Sequence, residues 1–149
     1  MGTGFFMEDP SNLEAVKALI LKTFSFMEND YYYTHSSNIE DSRVFDECLI
    51  VEYENTITRR RLSVSYTTGD RFTFSITIER LPYNGKSDII SLGNYLRSVD
   101  KDFSIKPLNC FDLEAFEHLL IRLRKAIEAH ALEIIDGKIW FETYYPRWD

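Results

Sequence analysis

Cysteine is scarce in this chain. Only Cys48 and Cys110 occur in 149 residues. Neither lies in a CxxC pair, and one possible disulfide is no framework. Cys48 falls within the run Cys48-Leu49-Ile50-Val51 and reads as a buried free thiol. Glycine (6) and proline (4) are also few, and no repeat or low-complexity tract interrupts the chain. No apolar run approaches the ~20 residues of a membrane helix. The first residues lack the basic start and apolar stretch of a signal peptide, and Phe6 stands where a myristoylation pattern needs Ser or Thr. These absences point to a cytoplasmic protein with no membrane partner. Phosphate loops, dinucleotide fingerprints, HExxH and GxSxG are missing as well.

Basic charge is in deficit. The net charge is −7 and the sequence pI about 5.0, which argues against a nucleic-acid partner, since phosphate neutralisation needs a basic surface. The imbalance is uneven along the chain. Residues 1–56 hold 11 acids and 3 bases, residues 57–125 hold 8 and 12, and residues 126–149 hold 5 and 2. The acidic first third suits a basic partner.

What the chain has in excess is aromatic rings, at 15% of residues. Such rings fill cores, and they also enrich interfaces and pockets. At 44% hydrophobic and 28% charged, 149 residues make one domain, 1–149, able to bury about two-thirds of the surface of its unfolded chain.

Periodicity predicts the elements. Leu13, Val16, Leu19, Ile20, Phe24 and Met27 recur at helical spacing after a start near Asp9-Pro10-Ser11. Residues 28–43 are polar and read as a loop, in which Tyr31-Tyr32-Tyr33 cannot all face one core. Three strands follow, over Val44–Glu54, Ile57–Thr67 and Arg71–Arg80. Phe72, Phe74, Ile76 and Ile78 alternate without a miss. The apolar sets of the second and third strands are both even-numbered, so a loop of odd length is required between them. A loop of Thr68-Gly69-Asp70 pairs Tyr66 with Phe72 and Val64 with Phe74. Ser87 caps a short helix carrying Ile89 to Val99. Asp112 caps a long helix from Leu113 to Ile134, stopped by Asp136-Gly137. The tail Lys138–Tyr145 reads as a fourth strand. The sum is an α+β fold: an antiparallel sheet of about four strands, with two long helices and one short helix packed on one face.

This arrangement leaves a second face of hydroxyls and cations: Arg61, Ser63, Ser65 and Thr67 beside Arg71, Thr73, Ser75, Thr77 and Glu79. Sheet pairing alone accounts for many of the hydroxyls. As a docking surface it offers hydroxyls that donate and accept, and the forked donors of arginine. Within Arg59-Arg60-Arg61, alternation turns Arg60 away from its neighbours, and Glu52 and Glu54 across the hairpin are the expected partners of the run. Glu114 and His118 stand at i, i+4, but a third metal ligand is not evident. A second candidate surface is aromatic: Tyr33, Trp140, Tyr144 and Trp148, with Tyr83.

Two functions follow. The first is a small acidic protein-binding domain, an interaction module or inhibitor. In size and charge the chain resembles the acidic immunity proteins that neutralise basic bacterial toxins, a likeness of composition that carries over no residue. The alternative is a small-molecule-binding domain or enzyme with a pocket between sheet and helices, lined by Arg61, Arg71, Ser75, Tyr66 and His118. No catalytic residue, metal or cofactor is assigned, and the lack of motifs points away from catalysis. Homodimerisation through an edge strand or the aromatic tail is a third expectation.

Overall fold

A computed structural model describes residues 12–41, 47–68, 73–100, 103 and 113–146. The helices are α1 (Leu13–Thr23), α2 (Ser25–Tyr31), α3 (Leu92–Val99), α4 (Leu113–His130) and the short α5 (Leu132–Ile135). The strands are β1 (Thr34–Asp41), β2 (Glu47–Asn55), β3 (Arg60–Thr67), β4 (Thr73–Arg80) and β5 (Ile89–Ser91). They form one antiparallel sheet in the order β1-β2-β3-β4-β5. The fold is α+β, as the periodicity predicts, with one more strand than expected.

Strand parity builds the core. Leu49, Val51 and Tyr53 of β2, Leu62, Val64 and Tyr66 of β3, and Ile76 and Ile78 of β4 are buried on one face. Val16, Ile20 and Phe24 from the first helical segment and Phe116, Leu120, Leu123 and Ile127 from α4 close over them. Phe116 meets Tyr66 and Phe74 at ring separations of 5.2 and 5.6 Å. Tyr66 and Phe74 are also cross-strand partners, as are Val64 and Ile76, and Leu62 and Ile78. Face and parity are as expected, but the pairing is displaced by two residues, because the strands part after Thr67↔Thr73. A shift of two preserves the face of every side chain, which is why alternation alone does not reveal it.

Four local expectations are corrected. The first helix breaks at Phe24, where Thr23 Oγ1 donates to Leu19 O (2.8 Å) and Ser25 Oγ to Lys22 O (3.0 Å); such back-bonding competes with the helix ladder. Its first cap is Asn12, whose side chain accepts from the Ala15 amide, while Asp9 to Ser11 lie outside the described residues. The expected loop after it contains part of α2 and the whole of β1, and the polar sequence of β1 reflects exposure on both of its faces. Ser91, not Ser87, caps the short helix, and Lys86–Asp88 forms a 3₁₀ turn. The tail after Gly137 forms no strand; it packs as an irregular strap. The Asp112 cap lies outside the described residues.

Gly137 itself ends α5 as expected, at φ +86°. A Cβ there would stand 3.0 Å from Thr58 O and 3.1 Å from Thr58 Cβ. Gly85 is extended, with nothing within 4 Å of the same position. Gly137→Ala is therefore expected to lower stability by about 1–2 kcal/mol, and Gly85→Ala to stay within about 0.5 kcal/mol of the parent. Calorimetric unfolding of the two variants checks the contrast.

Candidate functional site

Among the described residues, no helix packs on the sheet face opposite α1 and α4. Antiparallel partners share a face, so the register places Ser36, Asn38 and Glu40 of β1 beside Glu52, Ile50 and Cys48 of β2. Ser63, Ser65, Ser75 and Thr77 fill the centre. Glu52, Glu79 and these four hydroxyls, with Ile50 and Ile89, line a shallow hollow of about 520 Å³. The Thr67 and Thr73 hydroxyls pair with each other at one end of the strands.

Electrostatics gives this face its character. Arg61, near the start of β3, is the cation of this face, and three carboxylates hold it. Its Nη2 donates to Glu54 Oε2 at 2.9 Å, its Nε does so at 3.1 Å, and Glu79 and Glu52 lie at 3.6 and 3.9 Å. The hydrogen bond to Glu54, aided by the other carboxylates, holds the guanidinium pKa above its ordinary value. The expected pairing of the arginine run with Glu52 and Glu54 is thus found, through Arg61. The same contacts engage the guanidinium that an anionic ligand would need. Glu79 is the most enclosed of the three acids, with 16% of its side chain exposed. Burial pushes its carboxyl pKa up, and Glu52 and Glu54 add to the rise while Arg61 opposes it. Cys48 is half-buried at the edge of this face, not sealed in the core, and burial together with Glu40 raises its thiol pKa.

Arg60 points the other way and is 5% exposed. Its Nε donates to Ile134 O and its Nη2 to Ile139 O, each at 2.9 Å, and its Nη1 reaches Thr58 O and Arg59 O at 3.2 Å. The Trp140 ring lies 4.8 Å from its Cζ and 5.0 Å from that of Arg80. Carbonyls, not carboxylates, satisfy the buried cation, and burial lowers its pKa. The helix end supplies one of them, where the backbone dipole favours positive charge.

The sequence-derived candidates therefore separate. Arg61, Ser63 and Ser75 share the open face. Tyr33 is a core residue: its ring is 2% exposed and its hydroxyl donates to Ile135 O at 2.5 Å. Burial pushes its pKa up to about 12. Of its neighbours, Tyr32 is 80% exposed and Tyr31 stacks edge-on against Phe26. Trp140 is half-buried between two arginines and donates to Ser87 O at 3.0 Å. Phe141 and Tyr145 stack on Tyr95, and the Ser91 amide donates to Tyr145 O. Of the expected aromatic surface, Trp140 thus packs in a strap on the helix side of the sheet, and Tyr83 is exposed. Tyr144 remains outward, with Lys86 Nζ 5.7 Å from its ring. Arg71 and Trp148 lie outside the described residues. Tyr66 is buried in the core and His118 is exposed on α4, so neither shares a pocket with Arg61. Missed by sequence reasoning are Glu40, Asn38 and Ser36, which join the open face because β1 exists; among 28–43 the alternation carried no apolar signal to show it.

No family model, curated protein or solved structure matches this chain. Among the described residues no helix is long and apolar enough to cross a membrane, and no three His, Cys, Asp or Glu side chains converge as metal ligands.

The two arginines predict opposite mutational outcomes. Arg60→Lys keeps the charge but loses the fork that serves four carbonyls, and is expected to cost about 2–3 kcal/mol in urea unfolding. Arg61→Lys leaves a solvated ion pair and is expected to cost no more than about 0.5 kcal/mol. Glu79 has a signed pH effect. Its folded pKa lies above the ordinary value of 4.5, so its contribution to stability falls as pH rises from that value through the raised one. Glu79→Gln is expected to add up to about 0.5 kcal/mol at pH 7 and to remove this decline, measured as unfolding free energy from pH 4 to 8.

Proposed function

We propose that this protein is a binding module whose open sheet face docks a basic protein surface. The observation that carries the reading is the charge of that face. Among the described residues it holds Glu40, Glu52, Glu54 and Glu79 against the single cation Arg61, a net of −3. Four acids sharing one guanidinium leave carboxylate charge for a partner's lysines or arginines. The hydroxyls of Ser63, Ser65, Ser75 and Thr77 supply acceptors between them. Ile50 and Ile89 add a small apolar patch at the hollow. The geometry is wide and shallow, which fits a protein surface better than an enclosed metabolite. Like charges on one face speed and orient the approach of an oppositely charged partner more than they add affinity.

The test uses the chain as bait beside a Glu52→Lys/Glu54→Lys variant, both checked for folding by circular dichroism. A partner with a high isoelectric point is expected on the parent, eluting at moderate salt, and its association rate constant with the variant should fall at least about tenfold. Equal binding to both baits, or hydrogen-exchange protection of the helical face with the sheet face unprotected, overturns the proposal.

A further inference from the structure

The outer edge of β1 is an unusual surface. All eight residues from Thr34 to Asp41 are exposed, and all eight pair with β2 in an unbroken register. Among the described residues no strand pairs with the other side of β1. Alternate N–H and C=O groups therefore point outward along its length. Free edges are normally blunted by charged side chains (lysine above all), proline, a bulge or a covering segment, and β1 carries charge of this kind only at its end, in Glu40 and Asp41. The sequence Thr-His-Ser-Ser-Asn-Ile-Glu-Asp contains neither lysine nor proline, and the continuous register leaves no bulge. The opposite edge differs: β5 has three residues, and its Ser91 amide is already given to Tyr145 O.

We propose that β1 pairs with the β1 of a second copy of this chain, antiparallel, about a two-fold axis at Asn38. Charge and side-chain complementarity select this occupant and this register. A two-fold normal to the sheet requires partners of equal parity, so that both copies keep their helices on the same side. With Asn38 on the axis, His35 of each copy faces Asp41 of the other, Ser36 faces Glu40, and Ser37 faces Ile39. Acid meets imidazole or hydroxyl at both ends of the pairing. His35 already has Glu28 Oε2 at 3.1 Å from its Nδ1, a contact that holds the imidazole in place at the junction. Moving the axis to Ser37 sets His35 against Ile39 and loses the charge match. Moving it to Ile39 leaves His35 unpaired. The Asn38 register joins two five-stranded sheets into one of ten strands and makes their open faces continuous. It does not depend on the reading of that face as a docking surface.

Sedimentation of the full chain across the micromolar range tests the proposal, with three single variants beside the parent. The parent is expected to self-associate reversibly to a dimer. Asn38→Lys brings two lysines together at the axis, and Asp41→Lys sets lysine against His35; each should weaken dimerisation about tenfold or more. His35→Lys places a fixed cation beside Glu28 and opposite Asp41, and should dimerise at least as tightly as the parent. All three positions are exposed, and circular dichroism confirms that the variants fold. A parent that stays monomeric throughout overturns the inference. So does a dimer whose dissociation constant is unchanged in Asn38→Lys and Asp41→Lys, because it would then use another surface.

Discussion

Arg60 and Arg61 are adjacent and chemically alike, yet the pleat of β3 sends them into opposite media. The constraint behind this separation is the sealing of one sheet face under α1 and α4. Once Leu62, Val64 and Tyr66 are buried, the even positions of the strand belong to the interior, and Arg61, Ser63 and Ser65 turn to the opposite, half-exposed face. Arg60 then has to be satisfied inside. Breaking such a buried site is costly because an unpaired cation in the interior has lost its hydration without replacement. The carbonyls at the end of α5 and in the strap, with the Trp140 ring, replace that hydration. One guanidinium thereby joins the start of β3, the last helix and the C-terminal segment.

The strap explains where the aromatic excess goes. Trp140, Phe141 and Tyr145 form an edge-on cluster with Tyr95 on the helix side. Their rings cover the end of the sheet near β5 and leave the hydroxyl face untouched. Offset and edge-on contacts suit rings whose faces and edges carry opposite partial charge. The two arginines flanking Trp140 use the negative face of the indole. The described aromatic residues are thus mostly structural, and the hydroxyl face is polar and acidic.

Much of the architecture was legible because period-two alternation is strong where one face is dry and the other wet. β3 and β4 satisfy that condition, and their faces and odd-length connection follow from parity. β1 does not satisfy it. Both of its faces are exposed, so no apolar rhythm marks Thr34–Asp41 as a strand. The tail posed the reverse problem. Ile139, Phe141 and Tyr145 alternate with Trp140, Glu142 and Tyr144 as a strand would, but the rings of Trp140, Phe141 and Tyr145 pack against side chains instead of a neighbouring strand. At the open face, the hydroxyls and Arg61 were legible. Its net sign was not, because Glu40 joins the face only through β1, which no alternation announces.

The sequence by itself determined the α+β class, the core-facing set of β3 and β4, the opposite orientations of Arg60 and Arg61, and the stop at Gly137. Each of these is a local matter of periodicity or backbone conformation. Only the tertiary structure decided the register between β3 and β4, the partners of Arg60, the course of the C-terminal strap and the negative charge of the open face. A two-residue slip keeps every side chain on its own face, so parity cannot detect it. Hydrogen bonds and ion pairs join residues up to 102 positions apart, and nothing local to either end specifies them.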